Sequence, residues 1–244
     1  MRHKSQESNG LGFGESGFSR SLLSASAALC RIVLSAIVVV SLGATDASAM
    51  AVHPPDGVYR YELRQGSTKI GESMLTLHSS NATVSVIEDA VIGPVHAKIA
   101  ASYDANTLRE NTYVIDASAN GATRHGIVTP IANGVNLEAG AQSIDVEALP
   151  DAPLVIIADN FINSMFMTPS ILNITKPAVI TEAATAGGKA LRTTVVTEGP
   201  GVIMLDVSGL QMRYTYDPTT FILEKVEVPA QHVLITRVVG AATS

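Results

Sequence analysis

The stretch PVHAKIAASY, residues 94–103, decides the fold class. Val95, Ala97, Ile99, Ala101 and Tyr103 fall on one side of an extended chain, and His96, Lys98, Ala100 and Ser102 on the other. Side chains of a strand alternate between two faces, so this pattern predicts a strand that buries one face and wets the other. The same alternation continues in both directions. Upstream, GVYRYELR turns at Gly66 into KIGESMLTLH, and TVSVIED follows. Downstream come ENTYVID, ATRHGIVT, GVNLEA and SIDVEA, and later AVITEA, ALRTTVV, GVIMLDV, LQMRYTY, FILEKVEV and HVLITRVV. Their spacing and turn residues are those of hairpins. Asp217-Pro218-Thr219-Thr220 is a turn, because proline presets the backbone angle a turn needs. The expectation is one all-β domain over residues 57–240: a single curved antiparallel sheet, a half-barrel or open barrel, of about a dozen short strands. Gly57-Val-Tyr-Arg-Tyr and Gly209-Leu-Gln-Met-Arg-Tyr are alike but too short to establish a repeat.

One stretch breaks the alternation: VIIADNFINSMFMTPSIL, residues 155–172. VIIA reads as a buried strand end. Phe161 and Met165 are four apart, as are Ile162 and Phe166, which places each pair on one helical face. Asp159 suits a helix cap, and Thr168 precedes Pro169, a position that disfavours helical angles. This predicts one short helix near residues 160–167 lying on the sheet and closing it. Asp159 and Asn160 read either as that cap or as a polar anchor at the mouth of an apolar cavity. Phe161, Ile162, Met165 and Phe166, together with Met212 and Tyr214 on a later strand, are the candidate ligand-binding residues. The alternative is a plug that only completes the core.

Residues 1–49 read as a cleavable export signal. Arg2, Lys4, Arg20 and Arg31 flank the apolar run IVLSAIVVVSLGA, residues 32–44, and Ala47-Ser48-Ala49 fits a signal-peptidase site. Thirteen helical residues rise about 20 Å, short of a ~30 Å bilayer core. The alternative is a retained anchor reaching back to Leu22, which would bury Arg31 in the membrane. Residues 50–56 form a short linker. Cys30 is the only cysteine and leaves with the leader, so the mature chain has no thiol, disulfide or cysteine metal site.

The chain carries 16 basic and 22 acidic side chains; the leader takes 4 and 3, leaving 12 and 19, a net charge of −7. Without a basic run, nucleic acid and anionic lipid surfaces are unexpected partners. No membrane span is expected after cleavage, and the destination is periplasmic or extracellular. The sequence has no Gly-x-Ser-x-Gly elbow, His-Glu-x-x-His pair, phosphate loop or dinucleotide fingerprint. His53, His78, His96, His125 and His232 lack the spacing that points two rings at one metal. No catalytic residue, metal or cofactor is therefore assigned.

Three segments resemble a family. GSTKIGESMLTL (66–77), VIIADNFINSMFM (155–167) and YTYDPTTFILEKVEVPAQHVLITRV (214–238) are similar to segments of exported bacterial all-β domains of unknown function. Those domains look related to the half-barrels of periplasmic lipoprotein carriers and lipid-binding lipoproteins. The resemblance implies a curved antiparallel sheet wrapped around helix, and supplies no catalytic residues. The expected function is an exported, non-catalytic binding protein for an apolar or acyl-chain ligand. Two alternatives remain: an envelope interaction module without a small-molecule ligand, whose strand edge pairs with an envelope protein, and a hydrolase whose triad is scattered through the sequence.

Overall fold

The computed structural model describes residues 51–158 and 161–239. The leader and Cys30 lie outside the described residues, as do Asp159 and Asn160. The chain first lays down eight strands: β1 (Gly57–Gln65), β2 (Thr68–Ser79), β3 (Thr83–Ile92), β4 (Val95–Asp104), β5 (Glu110–Ala119), β6 (Ala122–Ile131), β7 (Gly134–Ala139) and β8 (Gln142–Glu147). Then come β9 (Val155–Ala158) and one helix, α1 (Ile162–Thr175). Six more strands finish it: β10 (Val179–Ala184), β11 (Lys189–Gly199), β12 (Val202–Val207), β13 (Leu210–Tyr216), β14 (Leu223–Val228) and β15 (Val233–Arg237).

Among the described residues these strands form one 15-stranded sheet in the order β8-β7-β6-β5-β4-β3-β2-β1-β15-β14-β13-β12-β11-β10-β9. The sheet does not close into a barrel; it ends at β8 and β9. The first meander runs outward from β1, the second runs back from β10, and the two join where β1 pairs with β15, Tyr61 opposite Arg237. All pairings are antiparallel except β9 with β10, which are parallel. The reason is the connection: α1 carries the chain back to the end where β9 began, which a hairpin cannot do.

The alternation of β4 holds. Ala97, Ile99, Ala101 and Tyr103 are buried, while His96, Lys98 and Ala100 are exposed. Buried residues from every part of the sheet pack around α1 in a continuous core, and the helix is buried on most of its circumference.

The helix is longer than its sequence suggests. It continues through Pro169 to Thr175, where Lys176 adopts a left-handed conformation and its N–H donates to the Leu172 carbonyl at 2.8 Å. Pro169 has no N–H to give the Met165 carbonyl one turn back, which costs about 3 kcal/mol inside a helix. Burial of Pro169 and Leu172 beyond the break offsets that loss, at about 1.5–3 kcal/mol for a leucine alone. Tertiary packing thus overrides the local signal to stop.

Candidate functional site

The site grows from the concave face and the way α1 is fixed to it. Along β3, Val84, Val86, Glu88 and Ala90 point inward, and all four are fully buried. The Glu88 carboxyl accepts hydrogen bonds from the N–H of Ile162 at 3.2 Å and of Asn163 at 2.7 Å, and from the Ser73 hydroxyl of β2 at 2.6 Å. The first N–H groups of a helix have no intrahelical acceptor and carry partial positive charge. Phe161 occupies the N-cap position and makes no side-chain cap bond. The helix start is therefore held by a carboxyl on the sheet. Asn163 adds a second tie, donating from Nδ2 to the Val86 carbonyl at 3.1 Å.

One turn further, the fully buried Phe166 ring lies 5.0 Å from Tyr59 and 6.3 Å from Tyr61, centroid to centroid. Burial raises the pKa of both tyrosines, and the Tyr61 hydroxyl donates to the Leu223 carbonyl at 2.7 Å. Ile162 and Phe166 thus sit in the core, and Phe161 packs partly buried against it.

Met165, Met212 and Tyr214 come together elsewhere, on the flank of α1 that faces β12 and β13. With Thr168, Leu205 and Glu182 they line a small space of about 30 Å³, enough for a water molecule. Glu182 is buried on β10 and has no ion pair among the described residues. Burial pushes its carboxyl up to about 7; the Thr193 hydroxyl pulls the other way and only partly offsets it.

Two larger clefts flank the C-terminal half of α1. The first, about 330 Å³, is lined by Tyr103, Leu108, Arg109, Ile156, Ile171 and Thr175. The second, about 610 Å³, is lined by Leu172, Lys176, Val195, Ile203, Tyr216 and Phe221, with the Tyr216 and Phe221 rings stacked 5.6 Å apart. Ile171 and Thr175 face one, Leu172 and Lys176 the other, so the helix is the partition between them.

Polar clusters elsewhere are on the surface. Asp56 takes His78 Nδ1 at 2.9 Å and the Ser79 hydroxyl at 2.5 Å, which puts the carboxylate between the other two instead of a histidine between serine and acid. His125 Nδ1 lies 2.6 Å from Asp116 on an exposed strand pair. Among the described residues no group of three or more His, Cys, Asp or Glu side chains is placed to hold a metal ion, and no helix is long and apolar enough to cross a membrane.

Sequence reading missed Glu88 and Glu182, and the signal was present. TVSVIEDA places Glu88 in register with Val84 and Val86, and VITEAA places Glu182 in register with Ile180. On β3, which alternates, a carboxyl on the apolar face marks a buried acid; β10 is buried on both faces, so Glu182 is signalled only by its apolar neighbours.

No family model and no curated protein matches the sequence. Among solved structures the chain is similar to a DUF1089 family protein from Pseudomonas aeruginosa, at 12% identity and a TM-score of 0.44, over 65% of this chain and 90% of that one. A likeness this slight carries neither fold nor function across.

Proposed function

We propose that this chain is an exported, non-catalytic binding protein for an apolar, lipid-like ligand. The observation that carries the reading is the incomplete filling of the concave face. One helix occupies its middle and leaves clefts of about 330 and 610 Å³ beside it. Volumes of a few hundred Å³ with mostly apolar walls are typical of small-molecule sites. Burial of apolar surface contributes about 25 cal/mol per Å², so an acyl chain needs no charged anchor there. The leader-like residues 1–49 support export, and the mature charge of −7 disfavours anionic surfaces as the target. The second reading, an envelope interaction module, draws on the strands β8 and β9 that end the sheet unclosed.

Native mass spectrometry of the 50–244 protein, secreted by its host and purified without detergent, separates the two. The binding reading expects a stoichiometric apolar adduct that organic extraction releases. A clean protein mass, with no uptake of fatty acids or phospholipids when offered, overturns it and leaves the interaction module.

A further inference from the structure

The two clefts stand on the same local structure, used twice. At the β4–β5 corner, Asp104 donates its N–H to the Arg109 carbonyl and accepts from the Leu108 N–H, each at 2.9 Å. Its Oδ1 accepts from the N–H groups of Asn106 and Thr107, at 3.0 and 2.8 Å. At the β13–β14 corner, Asp217 donates to the Ile222 carbonyl at 2.9 Å and accepts from the Phe221 N–H at 2.8 Å. Its Oδ1 accepts from Thr219 and Thr220, at 2.7 and 3.0 Å. The fifth residue of each corner is a bulky apolar side chain in the left-handed region: Leu108 at φ 51° and Phe221 at φ 57°. That conformation is costly for such residues and is kept where the surroundings require it. A register shift precedes each corner, at Ser102/Tyr103 and at Thr215/Tyr216. In sequence the pair reads Tyr103-Asp-Ala-Asn-Thr-Leu108 and Tyr216-Asp-Pro-Thr-Thr-Phe221.

The duplication extends to topology. The sheet order runs β6 to β1 and then β15 to β10, which is one six-strand meander followed by another in the same sense. Each meander has its corner between its fourth and fifth strands. Both corners lie at one end of the sheet. Asp104 pairs with Thr83 beside the end of β2, where β1 begins. The start of β14 lies beside the end of β15, which pairs with Tyr61 and so points toward the same end of the sheet as the start of β1. Tyr103 and Leu108 line the first cleft, and their counterparts Tyr216 and Phe221 line the second. Between them runs the end of α1, with Thr175 lining one cleft and Lys176 the other.

From this duplication we infer that the two clefts are paired halves of one binding site, which takes a single amphiphile with two apolar arms. One arm occupies each cleft, and the head crosses the helix end at Thr175 and Lys176. The inference rests on the apolar-binding reading and specifies the ligand class. A single-chain ligand fills only half of such a site, so the two halves bind it independently. A two-chain ligand gains from both, because its second arm is delivered at high local concentration once the first is bound.

The test offers palmitate and dipalmitoyl phosphatidylcholine to the mature protein and counts bound molecules by native mass spectrometry. Ile171→Arg obstructs the first cleft and Val195→Arg the second; both side chains are partly exposed, which favours folding of the variants, and circular dichroism checks it. The parent should bind one phosphatidylcholine or up to two palmitates. Each variant should keep one palmitate and lose at least about a hundredfold in affinity for phosphatidylcholine, since a displaced arm forfeits many buried methylenes. Palmitate uptake with refusal of phosphatidylcholine overturns the paired site and leaves apolar binding standing. So does a folded variant that binds phosphatidylcholine as the parent does. Refusal of both lipids overturns both readings.

Discussion

Replacing Glu182 by glutamine should make the protein more stable at alkaline pH and leave it nearly unchanged at acid pH. The carboxyl is buried beside Met165, Met212 and Tyr214, and burial moves its pKa from 4.5 to about 7. The folded state therefore holds this proton more tightly than the unfolded chain does. Below about pH 4.5 both states are protonated and the group exerts no penalty. As pH rises from there through 7, the unfolded chain ionises first and stability declines; above that it levels off. At about 1.36 kcal/mol per pKa unit, the total decline is about 3 kcal/mol. Glutamine has nearly the same shape and no charge to desolvate, so the variant should lack this decline. Urea denaturation of parent and variant at about pH 4.5, 6 and 8 measures it. The variant should gain up to about 3 kcal/mol over the parent between the first and last conditions. A difference that stays constant across that range would show that the carboxyl is not held uncompensated in the core, and would refute the reasoning.

Replacing the other acid, Glu88, should destabilise the protein, because it has partners. Glu88→Ala leaves the N–H groups of Ile162 and Asn163 and the Ser73 hydroxyl without their buried acceptor, at about 1–3 kcal/mol for each group. Glu88→Gln keeps one acceptor oxygen and should lose clearly less in the same denaturation assay; equal losses would rule out a capping role. Phe166→Ala removes a fully buried ring from between Tyr59 and Tyr61 and should destabilise by about 3–5 kcal/mol in thermal or urea melts. A loss under about 1 kcal/mol would mean that the site collapses freely and that the ring is not a core element.

Most of the sheet was legible because its chemistry is local. Each antiparallel strand buries one face, so a period of two is printed in segments such as residues 94–103, and glycine or proline marks the turns between them. Long-range pairing left no such print. Nothing in VIIA or AVITEA says that β9 and β10 run parallel, since that follows from where α1 delivers the chain. The helix was found from its four-residue spacing and cut short at Pro169, because the burial that carries it onward belongs to other strands. Of the residues proposed to bind, Met165, Met212 and Tyr214 do share one space with Glu182, while Ile162 and Phe166 lie deep in the core. The corner motif was half read: Asp217-Pro218 announces a turn through its proline, whereas Asp104-Ala105 makes the same hydrogen bonds without one.

The pairing of β1 with β15 places the two ends of the folded domain side by side at the middle of the sheet and not at its rim. The seam that unites the halves therefore cannot form until the fifteenth strand, Val233–Arg237, is in place. Until Val233–Arg237 arrives, β1 presents a bare row of backbone donors and acceptors, the kind of template that recruits other chains. High contact order at that seam makes folding slow relative to the hairpins on either side. Pairing with β15 covers that edge and leaves only the β8 and β9 edges of the described sheet open.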